Sequence, residues 1–287
     1  MNGISYHSVL IPSTPRTMEE ARKLSPLAPS GCVRALEQTS GRGRLPGRVW
    51  HSAPGASLLA TWWFAKDTFG DAPLPLIAGL AVLEACRGIA LENGSSFGDG
   101  LRLKWPNDLL CGTDEPETAP SASAEHAGMT GADAHRNHRG ACMPGRKLAG
   151  ILCEASGTTI YAGIGVNLTQ RSFTPPYGES WRRPPTSIFL ETGLDVDAEV
   201  LEERIRRGFE LLGAEADGWH RRYEAVLAWK GNPVLFSPGT GNETLHGHLV
   251  GTDCTGRVRI LVDGTMEPQV FSSGELSLPG LEAGDSR

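Results

Sequence analysis

Residues 73–91, PLPLIAGLAVLEACRGIAL, carry an apolar surface so wide that the helix they predict must be buried. A buried helix needs a core around it, and 287 residues with 39% hydrophobic side chains can supply one, either as one large domain or as a large domain with a small partner. The 36 glycines and 20 prolines follow no fixed period. They imply long loops and many turns, and they exclude a repeat protein, a long coiled coil and an all-helical bundle. A net charge of −6 argues against nucleic acid as the main partner. The N-terminus lacks the charged start and apolar core of a signal peptide, and no membrane partner is expected. Six cysteines, at 32, 86, 111, 142, 153 and 254, have no CxxC spacing. They read as reduced, mostly buried thiols, and the expected location is cytoplasmic.

Before the buried helix, TMEEARKL (17–24) predicts a short helix capped by Thr14, with Met18, Ala21 and Leu24 facing inward. Residues 32–38 and 57–64 read as strands. After it come a short strand at 101–105, a Pro-Asn-Asp turn and a strand at 109–111. Residues 112–146 hold almost no large apolar side chains and read as a disordered surface insertion, with little to repay the entropy of ordering. His126, His135, His138 and Cys142 within it follow no zinc spacing, so no metal site is assigned. KLAGILCEASGTTIYAGIGVNL (147–168) predicts a hairpin turning at Ser156-Gly157. Asp197 caps a helix running to Leu212 with Val200, Leu201, Ile205 and Phe209 on one face, and a second helix is expected over 215–229. Beyond Gly231 the pattern becomes short strands separated by turns, which predicts a small barrel and a domain boundary near 230.

Three stretches place charge and glycine beside apolar strands. Residues 37–48, EQTSGRGRLPGR, hold three arginines in seven residues, a local positive site in an acidic chain with glycines that let backbone approach a ligand. There is no P-loop GKS/T. Lys104-Trp105-Pro106-Asn107-Asp108 brings an amide and a carboxylate out between two apolar runs, where they could hold ribose, magnesium or a neighbouring loop. Lys147-Leu148-Ala149-Gly150 starts a buried strand with a lysine able to reach a cleft.

The ordered set GRGR…GRVW, KWPND and KLAGIL…GIGVN resembles the catalytic domain of biotin protein ligases over roughly residues 5 to 278, apart from 112–146. The resemblance implies an α+β fold: a mixed sheet like that of class II aminoacyl-tRNA synthetases over residues 1–230, and a C-terminal SH3-like β-barrel over 231–287. It implies activation of biotin with ATP to biotinyl-5'-AMP, with magnesium accompanying ATP, then transfer to a lysine of a biotin carboxyl carrier domain. By the same match Lys147 is the catalytic lysine and Arg42 the arginine that holds the intermediate. Arg44 and Arg48 serve phosphate or loop closure, and Gly41 belongs to the same ligand loop. Ser13, Thr14 and Gln38 match residues that bond the ureido head, and Gly150 a backbone position in that pocket. Asn107, Asp108 and Asn167 match the nucleotide side. No metal ligand set is implied. Only 12 residues precede Ser13, which resembles the ligase-only class without a DNA-binding domain.

The sequence departs from the family pattern at three points: Pro15 replaces an asparagine, Leu45-Pro46-Gly47 lengthens the arginine loop by one, and Pro279 stands where an arginine is common. For apolar walls, Trp50 or one of Trp62 and Trp63 is available, since strand side chains alternate. A lipoate or octanoate ligase or transferase, and a non-catalytic biotin-binding protein with a degenerate site, are the alternatives.

Overall fold

The structure, a computed structural model, describes residues 6–44, 47–112, 145–175, 183–214, 218–239 and 243–279. Nearly all of the predicted 112–146 insertion, together with Leu45 and Pro46, lies outside them.

Seven strands form the main sheet: β1 (Tyr6–Thr14), β2 (Ser30–Gln38), β3 (Ser57–Ala65), β4 (Leu101–Lys104), β5 (Asp108–Cys111), β6 (Arg146–Ser156) and β7 (Thr159–Asn167). Their order is β1-β2-β3-β7-β6-β5-β4, with β1 and β2 parallel and the other neighbours antiparallel, so the sheet is mixed. Helix α1 (Thr17–Leu24) is the crossover that parallel neighbours require.

Alternation along β3 sorts the two faces. Trp62 joins the large core and lies against Phe209, while Trp63, one residue on, packs under α1 with Met18, Ala21, Val33 and Tyr161. The large core is built on α2 (Leu74–Glu92), whose residues are buried on most sides as its uniform hydrophobicity demands. It is covered by α4 (Ala198–Ala214), after the short α3 (Ile188–Thr192). Arg34 of β2 reaches that side and pairs with buried Glu202 of α4 at 2.7 Å.

Three local expectations are corrected. Helix α1 is not capped by Thr14, which donates to Glu20 instead; Gln38 Oε1 accepts from the Thr17 amide at 2.8 Å and does the capping from β2. Val200 is half exposed, although Leu201, Ile205 and Phe209 are buried as predicted. The second helix, α5, covers only Trp219–Ala225. Residues 226–228 then run beside β4, with Leu103 bonding Val226 and Ala228 through the backbone.

The C-terminal barrel is also corrected. Strands β8 (Pro233–Pro238), β9 (Leu245–Thr252), β10 (Val258–Val262), β11 (Gln269–Phe271) and β12 (Gly274–Ser277) form an open antiparallel sheet in the order β11-β10-β9-β8-β12. The two edges are not paired. Counted through the ladders, β11 and β12 run in the same direction, and only Ser272 and Ser273 separate them. Parallel pairing needs a crossover of a dozen or more residues, so this joint cannot close the sheet. Trp105 Nε1 donates to Gly256 O at 2.9 Å and ties this sheet to the first.

Candidate active site

One rung of the main sheet sets the site. Leu59, Gly165, Gly150, Asp108 and Lys104 are successive register partners across β3, β7, β6, β5 and β4, so their side chains share a face. The two glycines leave the centre of that rung bare. A Cβ on Gly165 would meet the Trp50 ring at 2.8 Å, and one on Gly150 would meet it at 3.0 Å. The Trp50 indole therefore lies directly on backbone, and a cleft of about 300 Å³ opens beside it. Trp62 and Trp63 do not line this cleft; Trp50, from the arginine loop, is its aromatic wall.

Lys147 reaches the same face through a break in β6. Leu109 pairs with Ala149 but Leu110 pairs with Lys147, which leaves Leu148 as an extra residue, a β-bulge. In an unbroken strand Lys147 would share the core face with Ala149. The bulge turns it to the side of Gly150, where its Nζ donates to Asp108 Oδ1 at 2.7 Å.

Lys104 completes a buried charge cluster, with its Nζ 3.7 Å from Asp108 and 4.0 Å from Glu275. Burial pushes the Lys104 ammonium down to about 8, partly opposed by Asp108 and reinforced by Arg183. Burial alone would raise the Asp108 carboxyl; the charges of Lys147 and Lys104, the Lys147 hydrogen bond and Arg183 outweigh it and hold it at about 2. Arg183 stacks on Trp229 with its guanidinium carbon 4.5 Å from the ring centroid.

The arginine loop is closed at its base: Arg42 bridges Val49, and the Gly43 amide donates to Arg48 O at 2.8 Å. It is clasped by the C-terminal sheet. Arg44 donates to Gly274 O at 2.9 Å, and Arg48 to Glu275 at 3.0 Å. At the other end Gln38, Thr17 and Thr61 form a polar group, with the two threonine hydroxyls 2.9 Å apart.

Gln38, Arg42, Arg44, Arg48, Asn107, Asp108, Lys147 and Gly150 all line the cleft. Ser13, Thr14, Gly41 and Asn167 do not. Ser13 donates to Glu37 on the surface, Thr14 to Glu20, Gly41 packs under Trp50, and Asn167 is buried against Thr186. Asn107 spends its amide on Ile151 O at 3.0 Å. Pro15 accepts the Ser40 amide. Lys104 was visible only as part of its pentapeptide. Thr17, Thr61 and Glu275 carried no signal, because neighbouring strands and the second sheet bring them in. Among the described residues no three His, Cys, Asp or Glu side chains converge as a metal site. The Cys153 thiol is pushed up by burial, with a smaller contribution from Glu154, which leaves it a poor nucleophile.

Seven cationic side chains against four carboxylates line the cleft of a chain whose net charge is −6. A mixed sheet bearing such a cleft beneath a glycine–arginine loop defines a protein that takes an anionic, partly apolar ligand. The model of the biotin/lipoate A/B protein ligase family matches residues 8–169, more than half of the sequence, and the chain belongs to that family. It is 27% identical over 263 residues to the bifunctional ligase/repressor BirA of Escherichia coli, covering 88% of this chain and 67% of that protein. It is 30% identical over 142 residues to the biotin--[acetyl-CoA-carboxylase] ligase of Mycobacterium tuberculosis, covering 47% of this chain and 38% of that one. Its fold is similar to that of the biotin protein ligase from Aquifex aeolicus in complex with biotin and ATP, with a TM-score of 0.68 and 23% identity over 94% of this chain and 97% of that one.

Proposed function

We propose that the chain is an ATP-dependent biotin protein ligase. The observation that carries this reading is the order of environments along the cleft. The polar group of Gln38, Thr17 and Thr61 lies two residues along β3 and β7 from the glycine floor under Trp50, and Lys147, Asp108 and Lys104 lie on the β6, β5 and β4 side of that floor. Biotin has that order: a ureido head that bonds polar groups, an apolar bicycle and chain, and a carboxylate. The relative named as a biotin--[acetyl-CoA-carboxylase] ligase supports the same substrate.

In the first half-reaction a carboxylate oxygen of biotin forms a bond to the α-phosphorus of ATP, the bond to the β-phosphate oxygen breaks, and pyrophosphate leaves. Two anions must approach, and the Lys147 ammonium, held by Asp108 at the edge of the glycine floor, offsets their charge. In the second, the neutral amine of a carrier lysine forms an amide with the acyl carbon, AMP leaves, and the amine loses a proton. The carrier is a biotin carboxyl carrier domain. Arg42, Arg44 and Arg48 cover the mixed anhydride and exclude water, with Glu275 and Gly274 holding the loop's outer side. Asp108 is already engaged by two ammonium groups, so magnesium accompanies the nucleotide phosphates rather than a protein cage. Residues 1–230 form the catalytic unit and 231–287 a smaller unit that lends Glu275 to it.

The test is transfer of mass to a carboxyl carrier domain, followed by intact-mass spectrometry with ATP, magnesium and either biotin, lipoate or octanoate. Addition of biotin alone, dependent on ATP, is the expected result. Addition of lipoate or octanoate instead would change the substrate, and biotin binding with no transfer from any acid would mark a non-catalytic binding protein.

A further inference from the structure

Trp229 is the one residue other than glycine with a positive φ among the described residues, at +64°. That conformation crowds the Cβ of a bulky side chain, and it persists only where the surroundings impose it. Two backbone clamps impose it here. On one side the Leu103 amide donates to Val226 O at 2.8 Å and the Ala228 amide donates to Leu103 O at 2.9 Å, which fastens residues 226–228 to β4. On the other the Gly231 amide donates to Leu249 O at 2.7 Å and the Leu249 amide to Asn232 O at 3.1 Å, which fastens residues 231–232 to β9. Trp229 turns the chain between the two.

The turn carries the indole to the cations beside the cleft. Its ring centroid lies 5.8 Å from Lys104 Nζ and 4.5 Å from the Arg183 guanidinium carbon, within the roughly 6 Å over which an aromatic face attracts a cation. The first clamp is on Leu103, so the ring is fixed against the residue next to Lys104. Trp229 is 1% exposed, and among the described residues its Nε1–H meets no acceptor. A buried N–H without an acceptor is a cost that phenylalanine would not carry. Trp229 thus bears one cost in its backbone and another in its N–H, and filling space requires neither. What tryptophan adds over the other apolar side chains is the strongest face for a cation.

Lys104 has a use for such a face. It is buried, and the Asp108 and Glu275 carboxylate oxygens stand 3.7 and 4.0 Å from its Nζ, longer than a hydrogen bond. Arg183 and Lys147 repel it. A closer carboxylate would hold the ammonium but would also take up its donors. An aromatic face attracts the charge and leaves N–H groups to point elsewhere, and Lys104 lines the cleft. We propose that Trp229 is a positioning residue for Lys104, its indole face holding a buried ammonium at the cleft with donors available to an anionic ligand. This rests on the reading that the cleft takes such a ligand.

The experiment titrates Lys104 directly by NMR. Protein made with isotope-labelled lysine carries five labelled side chains, Lys23, Lys66, Lys104, Lys147 and Lys230, few enough to follow one by one. The Lys104 signal is assigned by its loss in Lys104→Arg, and its pH midpoint is read in the parent, in Trp229→Leu and in Trp229→Phe. Burial sets the parent midpoint at about 8. Losing the attraction of the ring is expected to lower it, by about one unit in Trp229→Leu and by a few tenths in Trp229→Phe, whose face is the weaker platform. A ring that only filled space predicts the opposite sign, because a smaller side chain admits water, relieves the burial and raises the midpoint. A midpoint raised or unmoved in Trp229→Leu would therefore overturn the inference. If that variant does not fold, Trp229→Phe decides by the same signs. The basic limb of the KM for ATP is expected to move down together with the midpoint. A midpoint that falls while that limb stays in place sustains the platform and overturns the use of Lys104 in the reaction, a separate failure.

Discussion

The Lys147 ammonium lies 2.7 Å from the Asp108 carboxylate because a one-residue slip between β5 and β6 turns both to the same face. Asp108 is buried and is shared by Lys147 and Lys104, so each half of the arrangement has a separate consequence. Lys147→Ala is expected to lower adenylate formation by about 10²–10³-fold, the range for losing one preorganised group that stabilises developing charge. Pyrophosphate release, measured with biotin saturating, checks this, and a loss under threefold would contradict it.

Asp108→Asn should act on stability more than Lys147→Ala does. It strands two ammonium groups beside Arg183 in a largely buried cluster, at a cost of about 3 kcal/mol. The pH dependence has a definite sign. A carboxyl depressed to about 2 stabilises the fold above its unfolded value, and that contribution is lost as pH falls from about 4 toward 2. It amounts to about 2 kcal/mol, and Asp108→Asn should remove it. Urea unfolding at several acidic pH values would show a flatter acid limb for the variant, and parallel limbs would refute the assignment.

Lys104 titrates in the other direction. With its ammonium pushed down to about 8 by burial, the positive charge it lends to the cleft disappears as pH rises through 8. The groups around it are Asp108 and Glu275, which favour the charge, and Arg183 and Lys147, which oppose it. The KM for ATP is therefore expected to rise above pH 8. Lys104→Arg should move that limb to higher pH; a profile identical to the parent's would exclude Lys104 as its source.

Gly165→Ala tests the floor of the cleft. Its Cβ would stand 2.8 Å from the Trp50 ring, so the ring must move. Biotin affinity should fall about tenfold while the KM for ATP stays within about twofold, as expected for a loss of packing worth about 1.4 kcal/mol. Trp50→Ala should remove most of the difference between glycine and alanine at 165. Isothermal titration with biotin measures both.

Glu275→Gln tests the clasp on the arginine loop. The Arg48–Glu275 pair is partly exposed, so its contribution to global stability is under about 1 kcal/mol. The local effect should be larger. Trypsin is expected to cut after Arg42, Arg44 or Arg48 several-fold faster in the variant, with the unfolding midpoint little changed. Equal cleavage rates would show that Gly274 and Arg44 hold the loop alone.

Much of the site was legible because its parts are short and locally encoded. Residues 147–168 read as a hairpin of two apolar strands, and three arginines among glycines read as a local positive site. Gln38 was singled out as a ligand residue, but its cap on α1 depends on β2 passing the helix start. Ser13 and Thr14 matched the ligand-binding positions of the resembled family, yet β1 directs one to Glu37 and the other to Glu20. The C-terminal strands were read correctly as strands and wrongly as a barrel, since closure depends on how the two edges meet.

The sequence by itself determined the buried helix over 73–91, the alternating strands, the cation-rich loop and the family motifs, all properties of periodicity and residue type over a few neighbours. Only the tertiary structure decided which face Lys147 occupies, that Trp50 rather than Trp62 or Trp63 walls the cleft, and that Glu275 reaches it from the second sheet. The physical reason is register. A one-residue bulge reverses the direction of a side chain, and register is fixed by pairing partners that the residue's own neighbours in sequence do not specify.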